Sequence, residues 1–328
     1  AREEVAKLIG ANPSDITFTS GATEAINLAI GGFRDLKKKR LVLSAIEHKV
    51  VLDVTQEMRR SGFDVIQLKV NSFGHIDLSS LKKALETPTA LVSIIAANNE
   101  IGTIQNLKAI GEICRSKNTL LHLDATQLIG KQAFTIADTN PDLVSFSAHK
   151  MYGPKGVGGL YLNQVARDEI KPVLFGGGHE KGLRSGTLNV PGIIGFGTAA
   201  MIAREESESI NTHLNILTKR IFDQLTSRVP GLKLNGDPIS RMPGNLNFRL
   251  HKLNASSLLA KLGSEIALSS SSACLSQTSS GSHVLEAIGL TKEERDSSFR
   301  IGIGRFNTEE EIDYASERIG TICNKLVK

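Results

Sequence analysis

Short β-rich runs alternate with helical segments along the first part of the chain, and this alternation is the strongest constraint on its fold. Apolar residues at helical spacing predict helices over residues 1–9, 22–30, 50–61, 78–86 and 107–117. The β-rich runs between and after them are DITFTS, RLVLSAI, DVIQLKV, ALVSIIA, TLLHLDA, LVSFSA and VGGLYL. Strands that alternate with helices favour an α/β fold with a mostly parallel central sheet flanked by helices.

The later part of the chain has a different pattern. A long polar helix is expected around residues 201–228, followed by the runs LKLNGD, NLNFRL and EIALSS and then by more helices. Thr308 and Glu311 form a capping-box pair that predicts the start of the last helix. We therefore expect two domains, a large one over residues 1–203 and a smaller α+β one over residues 204–328.

Composition excludes several classes of protein. The chain is 40% hydrophobic and 22% charged, which is typical of a globular protein, and no apolar run is long enough to span a membrane. The formal net charge is +5, but the basic residues are scattered apart from the run Lys37 to Arg40. We interpret that run as a solvated helix end, and we expect neither membrane association nor direct nucleic-acid binding.

The chain has three cysteines, an odd number without regular spacing. This argues against a disulfide framework and for a reducing, cytoplasmic location. Cys114 and Cys323 each share a helical face with apolar residues, so both are expected in a core. Cys274 lies in the polar stretch SSSSACLSQTSSGSH, where a linker with an incidental thiol and a functional cysteine are both open.

Polar and reactive residues follow the ends of five predicted strands. In open α/β sheets, ligands bind beyond the carboxyl ends of the strands, so these residues are candidates for one site. A Gly turn that opens a helix is either an anion site or an ordinary cap. The strand ends in question carry Gly21-Ala22-Thr23-Glu24, Glu47-His48, Asn98-Asn99-Glu100, Asp124 with Gln127, and His149-Lys150.

Pyridoxal phosphate is a cofactor that would use such a set. Its aldehyde forms a Schiff base with a lysine such as Lys150, and a carboxylate such as Asp124 holds its ring nitrogen protonated. A flat side chain such as His48 can stack on the ring. The rival is a metal site, with ligands His48, His122, Asp124 and His149. It would leave Lys150 unused and lacks the spacing of known metal motifs, so we expect no metal.

Several long motifs closely resemble the NifS/IscS-type cysteine desulfurases of the class V aminotransferase family. They are FTSGATEAINLAI, EHKVVLD, NNEIGTIQ, HLDATQLIGK, SFSAHKMYGPKGVGGLYL, GGGHEKGLRSGTLNVPGIIG and RIGIGRFNTEEEID. The resemblance covers nearly the whole chain in order. It implies the PLP-dependent transferase fold (aspartate-aminotransferase-like), a homodimer, and conversion of L-cysteine to L-alanine with a persulfide that passes to a sulfur-acceptor protein.

The resemblance also implies roles for individual residues on the cofactor. Lys150 would be the Schiff-base lysine, Asp124 the partner of the ring nitrogen, and Gln127 the ligand of the ring oxygen. His48 would be the stacking histidine and a candidate acid or base. The contacts on the phosphate side would be Ala22, Thr23, Ser147 and His149, with Thr187 donated by the other subunit.

The resemblance places the substrate and the nucleophile as well. Asn99, also a cofactor contact, and Arg300 would meet the substrate carboxylate, for which the bidentate fork of arginine is suited. Cys274 would be the nucleophile that receives the sulfur. Ser271 stands where the family has glycine, and serine restricts the backbone before Cys274. We expect a Cys274 thiol that rests away from Lys150 until substrate binds.

The sequence leaves open the N-terminal segment and the pathway that the protein serves. The family begins with a segment of the form YLDYSATTP that this chain does not contain, so we expect its N-terminal segment to be missing. Iron–sulfur assembly, tRNA thiolation and DNA phosphorothioation all use such enzymes, and the motifs do not choose among them. The alternatives to a desulfurase are another enzyme of the same fold, such as a transaminase, and a non-catalytic partner in a sulfur system.

Overall fold

The computed structural model describes residues 1–263, 265–270 and 281–327. The chain divides into two compact units. The large unit comprises Ala1–Lys69, Ile76–Ala97 and Gln105–Ser207. The small unit comprises Val70–His75, Asn98–Ile104 and Glu208–Lys328. Two short stretches from the first part of the chain, one of which carries Asn99, thus belong to the small unit.

A seven-stranded sheet forms the centre of the large unit, in the order β1-β7-β6-β5-β4-β2-β3. Only β7 runs antiparallel to its neighbours, which confirms the mostly parallel sheet. Strands β4, β5 and β6 are almost wholly buried, as expected for central strands covered on both faces. The strands are β1 (Ile16–Thr19), β2 (Arg40–Ser44), β3 (Asp64–Leu68), β4 (Leu91–Ile95), β5 (Leu120–Asp124), β6 (Leu143–Ser147) and β7 (Gly158–Leu162).

Helices flank this sheet, and most begin at a side chain that caps their first turn. Asp77, Asn106 and Asn163 each accept backbone N–H groups that would otherwise lack an intrahelical partner. The helices are α1 (Arg2–Ile9), α2 (Ala22–Gly31), α3 (Lys49–Arg60), α4 (Leu78–Ala84), α5 (Leu107–Ser116), α6 (Ile136–Thr139), α7 (Gln164–Glu169) and α8 (Val190–Glu205). Short 3₁₀ turns occur at Pro13–Asp15, Ala148–Met151 and Glu180–Gly182.

The small unit is an α+β arrangement around an antiparallel sheet in the order β10-β11-β9-β8. Its core contains Phe248 and Phe299, whose ring centroids lie 6.0 Å apart. Its strands are β8 (Lys233–Asn235), β9 (Asn245–Arg249), β10 (Ser269–Ser270) and β11 (Ser298–Gly302). Its helices are α9 (Ser207–Arg228), α10 (Ala255–Leu262), α11 (His283–Ala287), α12 (Lys292–Asp296) and α13 (Glu309–Leu326).

Two predictions for this part of the chain have different outcomes. The capping box of Thr308 and Glu311 is present at the start of α13, as predicted. The single long helix expected around residues 201–228 is instead the end of α8 and the whole of α9. Helix α8 ends at Glu205, Glu206 is its C-cap, and α9 begins at Ser207.

A buried carboxyl group ties the turn after β2 to the centre of the sheet. Glu47 is fully buried, and its Oε1 accepts the hydroxyl of Ser44 at 2.6 Å and the N–H of Ile95 at 2.8 Å. Ile95 in turn pairs with Asp124 on the neighbouring strand. Burial raises the pKa of Glu47 to about 8, and the negative charge of Asp124 adds to this effect. Glu47 is therefore mainly protonated at neutral pH.

The raised pKa predicts how stability depends on pH. Between pH 4.5 and 8 the folded chain holds a proton on Glu47 that the unfolded chain has lost, so stability falls as pH rises. Because one pKa unit corresponds to about 1.4 kcal/mol, the loss attributable to Glu47 is on the order of 5 kcal/mol. Glu47→Gln should remove this part of the pH dependence, as measured by denaturant unfolding at several pH values.

The control for this experiment is Glu57→Gln, which changes an exposed carboxylate on α3. Its stability profile should run parallel to that of the unsubstituted protein. Parallel profiles for Glu47→Gln as well would show that Glu47 is already ionised in the folded protein and would contradict the assignment.

Candidate active site

The carboxyl ends of β5 and β6 bring an acid and a lysine to the same edge of the sheet. The two strands are parallel neighbours in which Asp124 pairs with Ser145. Strand β6 ends at Ser147 and passes directly into the 3₁₀ turn Ala148–Met151, which contains Lys150. The sheet holds the backbone up to Ser147, three residues before Lys150, through the pairing of Ser147 with Gly158.

Asp124 is buried, with 3% of its surface exposed. Its Oδ1 accepts the hydroxyl of Thr126 at 2.5 Å and the backbone N–H of the same residue at 3.1 Å. Burial raises the pKa of Asp124, whereas these hydrogen bonds and the positive charge of Lys150 act in the opposite direction. A cation placed against this carboxylate would gain a strong partner, since water does not screen it.

The histidines at this edge are held by local hydrogen bonds. His48 is the N-cap of α3, and its Nδ1 accepts the N–H of Val50 at 3.3 Å. The Nδ1 of His149 lies 2.8 Å from the hydroxyl oxygen of Ser147. Partial burial and then the charge of Lys150 lower the pKa of His149, so its ring is neutral at pH 7. In each ring, one nitrogen is therefore engaged in a hydrogen bond, with the backbone for His48 and with a hydroxyl for His149.

The start of α2 lies beside the end of β6. Gly21 is the N-cap of α2 and supplies no side-chain acceptor to the first turn. A Cβ on Gly21 would lie 3.9 Å from the Oγ of Ser147, and a Cβ on Gly158 would lie only 2.7 Å from the Cα of Gly21. The two glycines thus permit a close approach that places the N-terminus of α2 next to Ser147. The positive end of the helix dipole at Ala22 and Thr23 suits an anion.

The remaining large-unit candidates occupy different surroundings. Gln127 is half-buried, and its Oε1 accepts a hydrogen bond from Lys131 at 3.1 Å. Thr187 is exposed and lines a surface cavity of about 210 Å³ together with Ser20 and Arg184. Arg184 is fixed by an ion pair with Glu24 of α2 at 2.7 Å.

Asn99 and Arg300 meet within the small unit. The backbone carbonyl of Asn99 accepts one guanidinium N–H of Arg300 at 2.8 Å and the side-chain amide of Asn245 at 3.1 Å. Arg300 lies on β11 and is half-buried. A guanidinium group that uses one N–H on a backbone carbonyl keeps other donors for a carboxylate.

Three residues near the candidates were not assigned a role from the sequence. Thr126 holds Asp124, Glu47 bonds from the turn after β2 to Ile95, and Glu100 is a buried carboxyl group next to Asn99. Glu47 and Glu100 were already among the strand-end residues that the sequence singled out, and Thr126 lies two residues after Asp124. Their positions at the strand ends were the available signal, but those positions did not reveal their hydrogen-bond partners.

Of the three cysteines, two are described by the structure and one is not. Cys274 and Ser271 lie outside the described residues, so the proposed nucleophile and its resting position stay predictions. Cys114 and Cys323 are buried, and burial raises the pKa of each thiol to about 12. Both therefore remain protonated and unreactive at neutral pH.

The described residues contain neither a cluster of metal ligands nor a membrane-spanning helix. Within residues 1–263, 265–270 and 281–327, no three His, Cys, Asp or Glu side chains are grouped as metal ligands. In the same part of the chain, no helix combines the length and the apolar character that a bilayer crossing requires.

Comparisons with known proteins agree with this architecture. Residues 1–315 match the family model described as Aminotransferase class-V. The chain is 44% identical over 331 residues to the cysteine desulfurase IscS of Rickettsia prowazekii (strain Madrid E), covering all of this chain and 80% of that protein.

Solved structures give the same result. A structure described as a NifS-like protein superimposes with a TM-score of 0.91 at 38% identity, covering 99% of this chain and 87% of the other. A structure described as SspA in complex with cysteine superimposes with a TM-score of 0.81 at 34% identity, covering 94% and 86% of the two chains. The chain therefore belongs to the class-V aminotransferase family and, within it, to the cysteine desulfurases of the IscS and NifS type.

Proposed function

We propose that this protein binds pyridoxal phosphate through Lys150 and converts L-cysteine to L-alanine, with the sulfur transferred to Cys274. The observation that carries the proposal is the placement of a buried carboxylate, Asp124, and a lysine on adjacent strand ends. Membership of the cysteine desulfurases supports the choice of substrate. A cysteine complex of a related protein supports it as well.

The residues at this edge fit the cofactor in their chemistry. Asp124 provides a buried negative charge for a protonated ring nitrogen, and Lys150 provides an amine for the aldehyde. The uncapped first turn of α2 and the Ser147 hydroxyl provide donors for a phosphate. When bound, the cofactor supplies electron withdrawal from the α-carbon of an amino acid.

The chain's own groups would then handle protons and orientation. The amine of Lys150 takes the α-proton of the substrate and later returns a proton to the product. Arg300, held by the carbonyl of Asn99, orients the substrate carboxylate. His48, the N-cap of α3, serves as a flat partner for the ring and as a second acid or base.

The sulfur step requires a thiolate. The Cys274 thiolate attacks the sulfur of L-cysteine and forms a sulfur–sulfur bond, while the carbon–sulfur bond breaks and its electron pair stays with the β-carbon, which then takes up a proton. The products are L-alanine and a persulfide on Cys274, and the persulfide then passes to an acceptor protein. Cys114 and Cys323 do not take part, because their buried thiols remain protonated.

The assembly and location of the protein form part of the same proposal. It acts as a cytoplasmic homodimer in which Thr187 of one subunit contacts the phosphate bound by the other. The exposure of Thr187 at an open cavity supports this assignment, because an exposed hydroxyl is available to a second subunit.

Substitution of the lysine tests the cofactor. Lys150→Ala should abolish the visible absorbance of covalently bound pyridoxal phosphate and lower kcat by at least about 10²-fold, since the catalytic base is lost. Absorbance spectra and alanine production measure the two effects. Lys108→Ala, an exposed lysine of α5, should leave both unchanged. Retention of the band and of turnover by Lys150→Ala would refute the assignment.

Substitution of the cysteines tests the nucleophile. Cys274→Ser should keep the cofactor absorbance and the exchange of the substrate α-proton in deuterated water, measured by NMR. Sulfide release should stop, because a serine oxygen cannot carry a persulfide. Cys114→Ser and Cys323→Ser should release sulfide normally and lose only stability, since each places a hydroxyl in an apolar core. Loss of activity in either of these, with survival in Cys274→Ser, would overturn the assignment.

Mixed dimers test the role of Thr187. Thr187→Val alone should weaken cofactor retention during gel filtration. A dimer of one Thr187→Val subunit and one Lys150→Ala subunit contains one intact site if Thr187 acts across the interface. Such dimers should regain roughly half of the normal activity. If Thr187 acts within its own subunit, neither site is intact, and the mixed dimers should lose cofactor as readily as the Thr187→Val protein.

A further inference from the structure

Glu100 lies at the centre of a buried hydrogen-bond cluster in the small unit. Only 8% of its surface is exposed, and its Oε2 lies 2.5 Å from the hydroxyl oxygen of Ser282. Ser282 is itself 2% exposed and caps α11 by accepting the N–H of Leu285 at 3.1 Å. The serine hydroxyl therefore donates to the carboxylate and accepts from the helix at the same time, which fixes both groups.

The backbone on either side of Glu100 is held equally closely. The side chain of Asn98 accepts the N–H groups of Glu100 and Ile101 at 2.9 and 3.0 Å. The carbonyl of Glu100 accepts the amide of Asn247 on β9 at 3.1 Å. The Asn98–Ile104 segment is thus bonded to the sheet of the small unit, although it comes from a distant part of the sequence.

The same segment presents the carbonyl to which Arg300 is bonded. That carbonyl belongs to Asn99, the residue directly before Glu100, and it fixes one edge of the guanidinium group. Burial raises the pKa of the Glu100 carboxyl group, while the Ser282 hydrogen bond and the charges of His283 and Arg300 favour its ionised form. Burying a carboxylate is costly, and here the Ser282 hydroxyl and the charges of His283 and Arg300 offset part of that cost.

We infer that Glu100 is a positioning residue for the substrate carboxylate: through its bond to Ser282 it holds the Asn98–Ile104 segment so that the Asn99 carbonyl aims Arg300 at the substrate. This inference rests on the proposed function, in which Arg300 binds the carboxylate of L-cysteine. Glu100 itself need not touch the substrate. Its removal should loosen the segment and the guanidinium orientation while leaving the residues around Asp124 unchanged.

The kinetic test compares two substrates that differ at one group. Glu100→Ala should raise the KM for L-cysteine about tenfold, equivalent to the loss of one oriented charge-assisted hydrogen bond, with kcat within about twofold. For L-cysteinamide, which has no carboxylate, the same substitution should change KM little. Glu100→Gln keeps an acceptor for Ser282 and should recover most of the affinity for L-cysteine.

A second variant guards against a simple loss of folding. Ser282→Ala removes the same hydrogen bond without removing the buried charge, and it should also raise the KM for L-cysteine. Thr291→Ala is the matched control, because Thr291 caps α12 in the same unit without contacting Glu100. Each cap loss should measurably lower stability, but Thr291→Ala should leave KM unchanged.

A binding measurement separates the inference from catalysis. Calorimetric titration with L-alanine, which carries the same carboxylate, should show weaker binding by about tenfold in Glu100→Ala. Equal losses for L-cysteine and L-cysteinamide would overturn the positioning role. If the unsubstituted protein itself does not distinguish the two substrates, the role proposed for Arg300 is wrong instead.

Discussion

The burial of Asp124 at the end of a central strand is the constraint on which the candidate site depends. A carboxylate removed from water is unfavourable unless hydrogen-bond donors and positive charges surround it. Thr126 supplies the donors, and Lys150 supplies a positive charge. These residues lie on or next to different strands, so only the parallel arrangement of the sheet brings them to one edge. The electrostatic environment of Asp124 thus depends directly on the order of the strands in the sheet.

Three buried carboxyl groups in this protein show how surroundings set the state of the same functional group. Burial is the largest influence on all three groups and raises the pKa of each. For Glu47 the negative charge of Asp124 adds to this effect, whereas for Asp124 the hydrogen bonds from Thr126 and the charge of Lys150 oppose it. Glu100 combines a short bond to a hydroxyl with the charges of Arg300 and His283. The first arrangement suits a group that ties strands together, the second a group that receives a cation, and the third a group that holds a segment in place.

The site also depends on a close approach between the backbones of β7 and the start of α2. Strand β7 runs against the direction of its neighbours and places Gly158 against Gly21. Any side chain at Gly158 would collide with the Gly21 backbone, so the N-terminus of α2 could not reach Ser147. The anion-suited end of the helix and the lysine-bearing turn adjoin for this steric reason.

The sequence alone determined the order of strands and helices and the residues at the strand ends, because both follow from local periodicity and from short motifs. It also carried the resemblance to the desulfurases. Only the tertiary structure decided that β7 is antiparallel and that Glu47 bonds to Ile95. It also decided that Glu100 bonds to Ser282, which is 182 positions later in the sequence. Such contacts join segments with no local pattern in common. Their partners are selected by sheet order and by the need to satisfy buried polar groups, which only the folded chain can specify.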